Sequence, residues 1–270
     1  MALTLMYITN QPEVAKIAQD AGVDRIFVDL EIIGKIERQG HLDTVISKHE
    51  IEDVSRIKEV LTSSELLVRV NPIHEGSKEE IDEVIRRGAN IVMLPMFKTR
   101  QEVEKFIGYV DGRVTVCLLL ETKEAVENLQ DILSVKGIDE IHIGLNDLHL
   151  AYKKKFMFEL LSEGVVEELC NSIAEREIKY GFGGIARLGQ GMLPAEYIIP
   201  EHYRMGSTRV ILGRSFCDLK QINSDIEELF KAGISEIREY ENDLIDEDYE
   251  FFIKNNIEVK KKIENILSQI

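Results

Sequence analysis

The feature that most constrains this chain is repetition. Short aliphatic runs recur at 3–9, 25–30, 65–70, 90–94, 113–120, 140–143, 179–183 and 209–212. Helical patterns fill the intervals at 12–21, 51–61, 78–87, 100–109, 123–135, 158–176 and 194–202, and a last one follows at 218–231. Runs such as Leu66-Leu67-Val68 and Leu118-Leu119-Leu120 suit strands buried on both faces, as in parallel sheets sheathed by helices. Asp20-Ala21-Gly22 and Arg87-Gly88 place a glycine where a helix ends before the next strand. Eight strands alternating with eight helices predict an α/β fold, a (β/α)8 TIM barrel. An open doubly wound sheet shows the same alternation. The length of 270 residues fits a single such barrel, which needs about 250. The pattern places the barrel at residues 1–232 and a helical extension at 233–270. The extension is highly charged, with an apolar stripe of Leu244, Phe251, Ile257, Ile263 and Ile266. It is expected to pack across the barrel or on a neighbouring subunit of a homo-oligomer.

Charge narrows the partners. With 33 Lys and Arg against 49 Asp and Glu, the formal net charge is −16. Such a chain repels phosphate backbones and anionic lipid, so neither nucleic acid nor a membrane surface is an expected partner. No apolar run approaches membrane-spanning length. The amino terminus lacks the basic start of a signal peptide. Cys117, Cys170 and Cys217 have no metal or redox spacing and read as buried thiols of a cytoplasmic protein.

In a barrel of this type the chemistry lies at the carboxyl ends of the strands. Those ends carry Asp29-Leu30-Glu31, Arg69-Val70-Asn71, Glu121, Asn146-Asp147 and Gly213-Arg214-Ser215. Glu121 and Asp147 follow successive strands, so both project from one edge of the sheet. Two carboxylates there suit a hard cation, Mg²⁺ or Mn²⁺, among other divalent ions. Each acid alone also suits the cap of the helix that follows it. Arg69 ends an otherwise apolar strand, where a guanidinium either grips a substrate carboxylate bidentately or pairs with Asp29 or Glu31. His41, His49, His74 and His149 fall in loops that border this rim.

Other motifs carry less. Gly181-Phe182-Gly183-Gly184 imitates a dinucleotide fingerprint but comes late and is not followed by an uninterrupted helix. Its glycines are expected to permit close backbone approach instead. Gly213-Arg214-Ser215 is placed where barrels often bind phosphate, though ordinary turn chemistry accounts for it equally. Segments 33–50 and 146–156 are expected as loops over the catalytic face.

The stretch Leu118-Leu119-Leu120-Glu121-Thr122-Lys123-Glu124-Ala125, followed by Gly137-Ile138-Asp139-Glu140-Ile141-His142-Ile143-Gly144-Leu145-Asn146-Asp147, resembles the HpcH/HpaI aldolase and citrate lyase β-subunit family. Val68-Arg69-Val70-Asn71 and Asp29-Leu30-Glu31 also fit it. The resemblance runs over about 10–215 and implies a phosphoenolpyruvate/pyruvate-type barrel. It implies a divalent ion on Glu121 and Asp147, and a substrate-binding rim of Arg69, Asp29 and Glu31, with Arg69 as the catalytic cation facing a 2-oxo acid or its enolate. The implied activity is carbon–carbon cleavage or formation on a small 2-oxo acid. Cleavage of an acyl thioester is the alternative, with Lys153-Lys154-Lys155 as the one basic loop for coenzyme A. A barrel that binds metal and keto acid without turnover is another. The chain departs from the aldolase branch at two positions: Ile32 stands in place of a histidine, and Leu119 in place of a glutamine.

Overall fold

The computed structural model of the chain describes residues 2–34, 49–213, 216–217 and 225–270. Its strands are β1 (Thr4–Ile8), β2 (Arg25–Asp29), β3 (Glu65–Arg69), β4 (Ile91–Leu94), β5 (Thr115–Leu120), β6 (Glu140–Ile143), β7 (Lys179–Ile185) and β8 (Arg209–Leu212). Each pairs in parallel with the next, and β8 pairs with β1, so the eight strands close into one barrel. The open sheet is thereby excluded.

The outer shell begins with α1 (Pro12–Asp20), α2 (Ile51–Val60), α3 (Ser77–Arg86) and α4 (Arg100–Val110). Where a single helix was expected at 123–135, α5 (Lys123–Glu127) and α6 (Leu129–Leu133) meet at Asn128, whose amide donates to the Lys98 carbonyl. Segment 146–156 begins within a helix, α7 (Leu145–Ala151). The expected helix at 158–176 is also two, α8 (Glu159–Ser162) and α9 (Val165–Ala174). Gly164 between them has φ +86°, a left-handed angle that interrupts an α-helix. Then come α10 (Ala195–Arg204), α11 (Ile226–Ile245) and α12 (Tyr249–Leu267).

Inside the barrel, Met6, Phe27, Leu67, Ile91, Met93, Cys117 and Leu119 form a dry plug. Below it, at the amino-terminal ends of the strands, Glu140 bridges two arginines. Arg25 donates to its oxygens at 2.6 and 2.9 Å, and Arg209 at 2.9 and 2.7 Å. The plug closes the barrel beneath the carboxyl-terminal rim, so groups on that rim face a low-dielectric floor. The glycines of β7 serve packing: a Cβ at Gly181 would lie 2.1 Å from the Arg209 carbonyl oxygen, at the point where the β7–β8 register shifts.

At the carboxyl end, α11 runs without a break through Gly233, so the expected boundary at 232/233 falls inside a helix. A single glycine weakens a helix but does not end one that packs well on its neighbours. Glu241 on α11 accepts from the Leu3 backbone at 2.6 Å, which ties the helix to β1. The last helix, α12, packs on α10 and α8 of its own chain. Asn255 and Asn256 each donate at 2.9 Å to the buried Glu201, which Arg204 neutralises. Val259 and Ile263 are the buried positions of α12, and Ile257 of the expected stripe is exposed.

Candidate active site

The rim is assembled from the ends of β2, β3, β5 and β6. Parallel register sets Asp29 opposite Arg69. Arg69 Nε and Nη2 donate to the two Asp29 carboxylate oxygens, both at 2.8 Å, and Nη2 lies 3.4 Å from Glu31. Asp29 and Glu31 are almost wholly buried. The guanidinium also lies over the Phe27 ring, 5.7 Å from its centre. Burial alone would lower the Arg69 pKa. The charge and hydrogen bonds of Asp29, with Glu31 and Glu121, override that and push it up. Arg69 is therefore a permanently charged, rigidly aimed cation.

The turn after β2 is held by Asn71. Its side-chain oxygen accepts from the Ile32 and Ile33 backbones at 2.9 and 3.0 Å, and its amide donates to Glu80 at 2.7 Å. His49 also reaches this edge, where its Nδ1 accepts from the Asp29 backbone at 2.9 Å. His74 contacts Ser77 on the β3–α3 side. His149 donates from Nδ1 to the Leu145 carbonyl within α7. His41, Arg214, Ser215 and most of segment 33–50 lie outside the described residues.

Glu121 follows β5 directly and is 3% exposed. It is not the cap of α5, because Thr122 takes that place and accepts from the Ala125 backbone. Glu121 instead leans toward β6. A Cβ at Gly144 would lie 2.8 Å from Glu121 Cβ and 2.9 Å from its Oε2, so only glycine leaves room for this carboxylate. Its Oε1 accepts from the Met96 backbone at 3.2 Å, and Met96 adopts a left-handed φ of +54°. That angle is uncommon in a residue with a side chain and gathers at functional sites. Asp147 lies in the first turn of α7, three residues beyond Gly144.

The electrostatics join these groups. The Glu121 pKa is raised well above the ordinary value, first by burial and then by Asp147 and Glu31, while Arg69 and the Met96 N–H oppose the rise. The charges of Asp147 and Glu31 thus bear on the buried Glu121, and the nearby cation, Arg69, already belongs to Asp29. A second positive charge would relieve the excess, and an all-oxygen donor set suits Mg²⁺ or Mn²⁺. No group of three or more His, Cys, Asp or Glu among the described residues forms a ready-made metal cage. A cation held by Glu121 and Asp147 would keep most of its coordination sphere for water and substrate oxygens, as a catalytic Mg²⁺ site does.

Sequence reading named Asp29, Glu31, Arg69, Glu121 and Asp147, and the fold brings all five to one rim. It missed the Met96 backbone and the space at Gly144. A proline-flanked turn after a strand does not announce a left-handed residue, but the glycine ending β6 was a usable signal.

The residues that build this rim fall within a single match. Residues 3–157 match the model of the HpcH/HpaI aldolase/citrate lyase family. The chain belongs to this family. Among characterised relatives it is 25% identical, over 166 residues, to the 2-keto-3-deoxy-L-rhamnonate aldolases of Escherichia coli K12 and O157:H7. That alignment covers 50% of this chain and 56% of each relative, so the chain spans about half their length. Barrels of known structure superimpose on most of the chain. An HpcH/HpaI aldolase from Desulfitobacterium hafniense DCB-2 has a TM-score of 0.62 at 14% identity, covering 78% of this chain and 86% of that one. The citrate synthase SbnG has a TM-score of 0.61 at 15% identity, covering 90% of this chain and 94% of that one. At such identities the likeness shows the fold.

Proposed function

We propose that this HpcH/HpaI family member is a divalent-metal-dependent carbon–carbon lyase or aldolase acting on a small 2-oxo acid through a pyruvate-type enolate. The observation that carries the reading is the buried Glu121 carboxylate, which shares its site with Asp147 and Glu31 opposite a fixed Arg69. Glu121 and Asp147 would hold Mg²⁺ or Mn²⁺. When bound, such an ion supplies Lewis-acid polarisation of a keto oxygen, which makes electron density from the broken carbon–carbon bond acceptable as an enolate.

The protein's own groups do the rest. Asp29 grips the guanidinium of Arg69 in a planar fork, which fixes the direction of its remaining N–H donors. Those donors stabilise the negative charge that develops on the substrate, in a site with little water to screen them. Asn71 holds the Ile32–Ile33 turn against β3, and this sets the wall of the mouth. Ile32 is 62% exposed there and cannot transfer a proton. The proton therefore moves by another group, and among the described residues His49 brings an imidazole to the β2 edge.

Asp29-Leu30-Glu31 without a following histidine favours a second reading, cleavage of an acyl thioester in the manner of the lyase branch. A panel of 4-hydroxy-2-oxo acids assayed for pyruvate release, run beside acyl thioesters, separates the two. Turnover of the free acids that disappears in Glu121→Ala and Asp147→Ala is the expected result. Full activity in both variants defeats the proposal.

A further inference from the structure

In this strongly acidic chain, every other described arginine donates to a carboxylate or amide oxygen. The Arg187 side chain alone among the described residues of its kind has no hydrogen bond or ion pair, and its Nε is buried without an acceptor. A buried donor left without an acceptor is costly. With 49 carboxylate residues in the chain, a partner for this cation would be easy to supply, yet none of the described residues supplies one.

Its position is specific. Arg187 stands two residues beyond β7 (Lys179–Ile185), on the rim that carries Arg69 and Glu121 but at the β7–β8 corner. Gly213, directly after β8, donates to the Ile185 carbonyl at 2.7 Å and closes that corner. The arginine stem lies along α11 at Gly233, where a Cβ would meet Arg187 Cδ and Cγ at 3.1 and 3.2 Å and Phe216 Cζ at 3.0 Å. A glycine in mid-helix weakens the helix. Here it makes the groove through which the stem passes. A helix thinned to seat an arginine, and a guanidinium that no described carboxylate pairs, together suit an anion. In barrels of this architecture, phosphate is frequently bound by the loops after the seventh and eighth strands.

We propose that Arg187 anchors a second subsite, at the β7–β8 corner, that takes an anionic group, carboxylate or phosphate, carried by a reactant. That the group belongs to a reactant rests on the lyase reading. Anion binding at Arg187 does not. Isothermal titration of inorganic phosphate, and separately of acetate, into the full chain tests it, in chloride buffer of matched ionic strength with a chelator present. The chelator removes metal as a competing anion site, so failure of the metal reading leaves the result unaffected.

The expected result is one-to-one binding of at least one anion, weakened about tenfold or more by Arg187→Met. Arg187→Lys, which keeps charge without the fork, should fall between the two. Gly233→Ala, which shifts the stem without removing it, should weaken binding less and in the same direction, and it carries the test if Arg187→Met does not fold. Tighter phosphate binding points to a phosphorylated ligand, and tighter acetate binding to a carboxylate. Absence of binding by either anion to the wild type, or equal affinity in wild type and Arg187→Met, overturns the proposal.

Discussion

Replacing Glu140 by glutamine removes the anion that joins Arg25 to Arg209 at the floor of the barrel, and its effect can be worked out from the structure. The carboxylate is 4% exposed and accepts from both guanidiniums through four contacts of 2.6–2.9 Å. Burial alone would raise its pKa. The hydrogen bonds and charges of Arg25 and Arg209 outweigh burial and bring it down to about 2, from an ordinary 4.5. Because the folded value lies below the unfolded one, the stabilisation is present above pH 4.5 and is lost as pH falls toward 2. A displacement of this size corresponds to about 3 kcal/mol at neutral pH, of which roughly 2 kcal/mol is gone by pH 3. Glu140→Gln also leaves the buried Arg209 guanidinium without its counter-ion, while Arg25 keeps only Glu65, and breaking such a pair destabilises by about 3–5 kcal/mol. Urea unfolding of wild type and variant at pH 7 and pH 3 measures both effects. At pH 7 the variant should be less stable by about 3–5 kcal/mol, and at pH 3 the gap should narrow by about 2 kcal/mol. A gap at pH 7 no larger than the roughly 0.5 kcal/mol of a surface change, or one that widens in acid, refutes the reasoning.

Three more predictions concern the rim and the tail. Gly144→Ala places a Cβ 2.9 Å from Glu121 Oε2, so Mn²⁺ affinity by calorimetry should fall about 10–100-fold, the range for disturbed support of a metal ligand; unchanged affinity would show that Glu121 is not held by that space. Arg69→Lys keeps the charge but loses the two-point grip on Asp29, and kcat/KM should drop by about two to three orders of magnitude, a reading that a less than threefold change would contradict. Replacing Asn255 and Asn256 together by alanine removes two donors from buried Glu201, each worth about 1.5–3 kcal/mol when the acceptor is charged; limited proteolysis should then cut α12 first, whereas a wild-type digestion pattern would mean those contacts do not hold the helix.

The barrel was legible because two periodicities alternate along the chain. Strands buried on both faces must be aliphatic throughout, and the runs at β3 and β5 could hardly be anything else. The acids at the strand ends were legible for the same reason, since a charged residue directly after such a run must emerge at a rim. What closes a sheet, however, is register between β8 and β1, and no local pattern carries that. The pairing of Glu140 with Arg25 and Arg209 was hidden likewise, because those residues begin β6, β2 and β8 and meet only across the barrel. The two broken helices escaped notice because apolar spacing continues through Asn128 and Gly164 while the backbone turns. Asp29 was read both as a substrate-facing acid and as a possible mate for Arg69. The register opposite Arg69 shows the pairing, and its grip is what gives the arginine a fixed direction.

Exchange of the methyl protons of pyruvate with deuterated water, followed by proton NMR, tests enolate formation without requiring the acceptor to be known. With Mn²⁺ or Mg²⁺ present the wild type should catalyse exchange, and chelation should abolish it. Glu121→Gln and Asp147→Asn should each lower the rate by about a hundredfold or more, with Mn²⁺ affinity falling in parallel. Metal-independent exchange, or exchange and Mn²⁺ affinity unchanged in both variants, would contradict the assignment of these two carboxylates as the centre of the site.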